Sequence, residues 1–97
     1  MTTLVIYDIP EDRLRGKLAD VCLDYGLQRI QFSAFLGELS GNRAQEMLLR
    51  MRKLLGRKEG QVQCIPICEK DFRRRVILEP SKAQFRPRKR DQGTGPA

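Results

Sequence analysis

An α+β fold is predicted for this chain of 97 residues from three observations. Two segments repeat apolar residues every three or four positions, as amphipathic helices do. Three shorter segments carry β-branched and aromatic residues at strand spacing. The two kinds interleave along the chain, so helices and strands must pack as layers of one core.

Residues 3–7 are Thr-Leu-Val-Ile-Tyr, too few for a helix and well suited to a strand. The run stops on Asp8, and Pro10 follows. Residues 11–25 are expected to be helical, because Leu14, Leu18, Val21, Cys22 and Tyr25 fall on one face. Pro10, Glu11 and Asp12 suit its first turn, and Gly26 suits its C-terminal end. Residues 29–36 alternate as a single strand. Ile30, Phe32, Ala34 and Leu36 point one way, and Arg29, Gln31, Ser33 and Phe35 the other. A turn over 37–42 follows, with Ser40 placed to cap the next helix. That helix, over 43–55, has its apolar stripe in Ala44, Met47, Leu48, Met51, Leu54 and Leu55, and Gly56 ends it.

Residues 61–67 form a further strand, which Pro66 assigns to an edge or a strand end. A helical turn over 69–74 and a short strand over 75–78 complete the domain. The order approaches the split β-α-β, ferredoxin-like βαββαβ plan, with an antiparallel sheet, both helices on one face and an extra short C-terminal strand. The domain is assigned to residues 1–79. Residues 80–97, rich in Pro, Gly and charge, read as a basic flexible tail. A core this small favours a homodimer, and Phe35 on a row of polar side chains points to a partner.

Composition narrows the chemistry. Histidine is absent, which removes Ser-His-Asp and Cys-His nucleophilic systems and imidazole zinc sites. Cys22, Cys64 and Cys68 are odd in number and lack CxxC spacing, so a disulfide framework or zinc knuckle is not expected. Any catalysis must use carboxylates, Tyr, Lys or Arg, with a hard metal ion. No apolar run approaches the roughly 20 residues of a membrane span, and no signal peptide is apparent; a cytoplasmic protein with no membrane partner is expected. The net charge of +7 points to nucleic acid.

Asp8 admits two readings. Asp8-Ile9-Pro10-Glu11 has capping-box spacing, so Asp8 could close the N-terminus of the following helix. Alternatively it stands at the open end of a strand and holds Mg²⁺, which needs only one or two carboxylates. In a two-fold dimer both copies of Asp8 could share the ion. The polar row of Arg29, Gln31 and Ser33 is either a solvated sheet face or a surface for phosphates, with Phe35 stacking on a base or packing at an interface. Basic residues on the two helices, Arg13, Arg15 and Lys17 and then Arg50, Arg52, Lys53, Arg57 and Lys58, suit a duplex backbone. Arg73, Arg74 and Arg75, with Arg86, Arg88, Lys89 and Arg90, make either a solubilising tail or an arm for phosphates or a partner.

Residues 5–9 (VIYDI), the Arg15 and Lys17 that follow, and residues 25–39 (YGLQRIQFSAFLGEL) resemble the small universal CRISPR-associated endonuclease family of the spacer-adaptation module. Residues 62–68 (VQCIPIC) resemble its third strand, so the resemblance spans residues 3–79. It implies a ferredoxin-like homodimer and a Mg²⁺- or Mn²⁺-dependent phosphodiesterase whose essential aspartate is Asp8. It further implies activity roles at Tyr7, Arg15, Lys17, Arg29, Ser33 and Phe35. Lys17 stands where Arg also occurs in the family, and offers a point charge without the bidentate fork. The resemblance implies a second role as well, a scaffold holding duplex DNA for the CRISPR integrase. Family substrates include duplex DNA and single-stranded RNA. The alternatives are a non-catalytic scaffold and a toxin-like ribonuclease of the same fold.

Overall fold

The computed structural model describes residues 1–80; the basic tail expected over 80–97 lies, after Pro80, outside the described residues. In chain order the elements are β1 (Thr2–Asp8), α1 (Asp12–Asp24), β2 (Gln28–Gln31), β3 (Ala34–Glu38), α2 (Gly41–Leu55), β4 (Gln61–Ile67) and α3 (Glu69–Arg73). The sheet order is β2-β3-β1-β4, with every neighbouring pair antiparallel. This is the ferredoxin-like arrangement expected from the element order, with β1 in the centre and β4 at an edge.

One face of the sheet carries α1 and α2. Val5, Tyr7 and Phe35 meet Leu14, Leu18, Val21 and Cys22 of α1 and Met47 and Met51 of α2, all buried. These are the apolar positions that helical and strand periodicity select. The opposite face carries neither α1 nor α2; Phe72 of α3 lines a cavity of about 600 Å³ with its Thr2, Leu36 and Glu38. There alternation aligns Leu4 with Leu36 and Ile65, and Ile6 with Ala34 and Gln63. Leu4, Ile6, Leu36, Ile65 and Ile67 are only half-buried on it.

Three expectations change. The single strand over 29–36 is a hairpin, broken by a turn at Phe32 and Ser33. A register shift between Arg29 and Gln31 bulges Ile30 as well. The shift moves Gln31 to the face of Ala34. Ile30 and Phe32 are exposed, while Phe35, opposite Val5 on the face that α1 and α2 cover, is fully buried. Phe35 therefore belongs to the core of its own chain, and the continuous polar row does not form. Second, residues 75–78 form no strand; Val76, Ile77 and Leu78 are 79%, 66% and 90% exposed. Ile77 and Leu78 lie beside edge strand β2, lining a cavity with Gln28, Ile30 and Gln31, without joining its ladder. Third, Asp8 does not cap α1. The N-cap is Glu11, which makes no side-chain cap hydrogen bond. Ser40 does cap α2, its Oγ accepting from the Arg43 amide at 3.2 Å.

Candidate nucleic-acid and metal site

Asp8 is the last residue of β1 and is exposed. It pairs with Gln61, while Ile6 pairs with Gln63, so these four side chains lie on the face away from α1 and α2. With Tyr7 they line a shallow cleft of about 100 Å³. Gln63 Nε2 donates to Gln61 Oε1 at 2.9 Å. The cleft thus offers one carboxylate and two amide oxygens. No group of three or more His, Cys, Asp or Glu side chains placed to hold a metal occurs among the described residues. A single protomer supplies Asp8 alone as a charged ligand there.

The chain after Asp8 is held from two sides. Arg15 Nη1 donates to the Ile9 carbonyl at 2.6 Å and the Pro10 carbonyl at 3.1 Å, and Arg15 also forms an ion pair with Asp12. On the β4 side Gly60 has φ +125°. A Cβ there would stand 2.6 Å from the Asp8 carbonyl oxygen. Strand and loop approach this closely only because position 60 has no side chain.

Tyr7 points the other way, into the helix-covered layer. Its ring stacks with Phe35 at a centroid separation of 6.2 Å. The Arg29 guanidinium lies 5.0 Å from the Phe35 centroid and 6.0 Å from that of Phe32, and Arg15 lies 5.6 Å from Phe32. Tyr7 is 6% exposed, and its hydroxyl has no hydrogen-bond partner. Burial raises the Tyr7 phenol pKa; Arg29 lies close enough to oppose the shift without a hydrogen bond of ordinary geometry. Burial likewise pushes the Cys22 thiol up to about 12, again against Arg29. Tyr7, Asp12, Arg15, Gly16, Arg29 and Phe32 line a pocket of about 360 Å³.

The sequence model of CRISPR associated protein Cas2 matches residues 1–75. The chain belongs to the Cas2 family. It is 46% identical over 81 residues to a Desulforudis audaxviator protein named CRISPR-associated endoribonuclease Cas2, covering 84% of this chain and 76% of that one. A stretch of 53 residues is 42% identical to part of a Thermoproteus tenax protein named CRISPR-associated endonuclease Cas1/endonuclease Cas2 fusion, 55% of this chain and 20% of that one. The crystal structure of Streptococcus pyogenes Cas2 at pH 6.5 superposes with a TM-score of 0.70 at 24% identity, covering 81% of this chain and all of that one. That likeness is one of fold.

In this Cas2-family fold the expected site residues divide into groups. Tyr7, Arg15, Arg29 and Phe35 gather on the helix side of the sheet end, with Asp8 on the other face. Ser33 sits in the β2–β3 turn, where its carbonyl accepts from the Tyr7 amide at 3.1 Å. Lys17 is exposed on α1. Arg50 pairs with Asp24 at 3.4 Å and lies 5.4 Å from the Tyr25 ring centroid. Tyr25 in turn donates to Glu46 at 2.9 Å, so this cluster joins the two helices. Arg52 and Lys53 are exposed and make no ion pair among the described residues. Sequence reasoning missed Gly60 and placed Phe32 within a continuous strand, on the row of Ile30, Ala34 and Leu36. The glycine directly before a strand was a signal for the first. For the second, no residue in the turn announces it.

Proposed function

We propose that the protein acts in CRISPR spacer acquisition, in antiviral defence, as a DNA-binding scaffold for the integrase and as a metal-dependent endonuclease centred on Asp8. The observation that carries the reading is an exposed aspartate at the end of the central strand of a Cas2-family chain. Relatives named as endoribonucleases support the nuclease, and the relative named as a Cas1/Cas2 fusion supports the integrase partnership. The substrate is nucleic acid, as duplex DNA or single-stranded RNA.

Asp8 and the amide oxygens of Gln61 and Gln63 form an all-oxygen donor set, which fits a hard cation such as Mg²⁺ or Mn²⁺. Such an ion, when bound, neutralises charge on a scissile phosphate and lowers the pKa of water. The chain's own residues do the rest. Arg15 holds the loop that aims Asp8, while Lys17, Arg29, Arg52 and Lys53 attract phosphates. A homodimer completes the site. The half-buried Leu4, Ile6, Leu36, Ile65 and Ile67, together with the exposed residues 76–78, supply an apolar surface for a second copy. That pairing would bring a second Asp8 toward the same cation.

The test is cleavage of RNA and duplex DNA by the wild type and by Asp8→Asn, with and without EDTA, alongside duplex binding. Asp8→Asn is expected to lose cation-dependent cleavage and to keep duplex binding. Equal cleavage by the variant would remove Asp8 from the chemistry and leave the scaffold role alone.

A further inference from the structure

The pocket on the helix side of the strand end has no part in holding a cation at Asp8. We propose that it binds one unpaired nucleotide, the base stacking on Phe32 and the phosphate resting between Arg29 and the Tyr7 hydroxyl. The proposal rests on the nucleic-acid reading above and adds a substrate feature to it.

Four observations converge. First, Phe32 sits in the tight β2–β3 turn and is 71% exposed, an unusual place for a large apolar ring. Guanidinium groups flank it, from Arg15 and Arg29. Aromatic rings beside arginines are what unpaired bases stack on. Second, Arg15 is occupied by the Ile9 and Pro10 carbonyls and by Asp12, but Arg29 makes no ion pair among the described residues. Its charge is left for an outside anion.

Third, Tyr7 lines the pocket, and its hydroxyl is buried with no hydrogen-bond partner. Buried polar groups are almost always hydrogen-bonded, so one that is not calls for a partner. A phenol is a proton donor at neutral pH, suited to a phosphate oxygen. Fourth, Gly16 lies in the middle of α1 and lines the same pocket, and a Cβ there would meet nothing within 4 Å. Glycine is disfavoured inside helices, and packing gives no reason for it here. Its missing side chain leaves the wall open. The pocket volume of about 360 Å³ lies at the lower end of the range for small-ligand sites.

The wild-type chain contains no tryptophan, so Phe32→Trp places a single reporter at the pocket mouth. It is titrated with AMP, with ribose 5-phosphate, with a blunt DNA duplex, and with the same duplex carrying a single-stranded DNA or RNA overhang. Quenching by AMP and by both overhangs, but not by ribose 5-phosphate or the blunt duplex, is the expected result. In parallel, Phe32→Leu is expected to weaken overhang binding by roughly fivefold to a hundredfold, the range for losing one stacked base. Phe32→Tyr should retain it, and blunt-duplex affinity should not change in either variant. Equal quenching by blunt and overhanging duplexes would overturn the proposal while leaving the nucleic-acid reading standing. So would a Phe32→Leu chain that binds overhangs like the wild type, or one whose only defect is a smaller sedimenting species, which would assign Phe32 to contact with a second copy. Failure of the wild type to bind any duplex would remove both readings.

Discussion

Replacing Gly60 by alanine should damage the fold and the Asp8 end of β1 together. Gly60 has φ +125°, a region that side-chain-bearing residues rarely adopt. Holding alanine there costs about 1–3 kcal/mol. The new methyl group would also stand 2.6 Å from the Asp8 carbonyl oxygen, 2.6 Å from Ile9 Cδ1 and 3.2 Å from Ile9 Cα. Ile9 Cδ1 can swing aside, but the two backbone atoms cannot. The start of β4 must then draw away from β1 at the Asp8–Gln61 pair, which loses roughly 1 kcal/mol for each ladder hydrogen bond broken. The sum is roughly 2–4 kcal/mol, which in a domain of this size lowers the melting temperature by about 10–30 °C. Calorimetry of Gly60→Ala against the wild type measures it. Mn²⁺ binding followed by electron paramagnetic resonance reports on Asp8 below the melting point, and is expected to weaken. A variant that melts with the wild type would refute both the strain and the close approach.

Three further outcomes follow from the same geometry. Gly16→Ala meets open space and should raise stability by about 0.4–1 kcal/mol, seen as a higher urea midpoint at unchanged slope. Tyr7→Phe removes a buried hydroxyl with no partner, so it should stabilise the free protein by roughly 1 kcal/mol while weakening AMP binding; an unfolded or weakened variant would mean that the hydroxyl is satisfied. The Cys22 thiol titrates near 9 when unfolded but at about 12 when folded, so its contribution is fully present below pH 9 and is lost as pH rises toward 12. Urea midpoints measured from about pH 8 to about pH 11 should fall more steeply for the wild type than for Cys22→Val, and parallel curves would exclude the thiol as the cause.

Periodicity made most of the layers legible. Leu14, Leu18, Val21, Cys22 and Tyr25 all prove buried, as helical spacing requires. Val5 and Tyr7 face the helices and Asp8 does not, as strand alternation requires. Residues 29–36 resisted the same logic because alternation has no marker for a missing partner. The turn at Phe32 and Ser33 contains none of the Gly, Asn or Pro residues that usually announce one. Arg29 and Phe35 still share a face, but that face is the one α1 and α2 cover, so Phe35 is the most enclosed aromatic ring among the described residues. Gly60 was legible only as a glycine before a strand, not by its role. That role is a contact between the end of β1 and the start of β4, far apart in sequence, and no local pattern encodes it.

The two-residue period of β1 also settles how neighbouring residues can serve different ends. Tyr7 and Asp8 are adjacent in sequence, yet the sheet lies between their side chains. Tyr7 is fixed by its stack on Phe35 and shares a pocket with Arg29 and Phe32. Asp8 shares its face with Gln61, Gln63 and the half-buried aliphatic residues. On the proposed dimer, a second copy would cover the aliphatic face and approach Asp8 from below, leaving the Tyr7 pocket open on the outer side. A substitution at Tyr7 then acts on packing and on the bound strand, and one at Asp8 acts on the cation. Loss of cleavage in a Tyr7 variant is therefore no evidence that Tyr7 takes part in metal chemistry, because the strand that orders one side chain excludes it from the other's site.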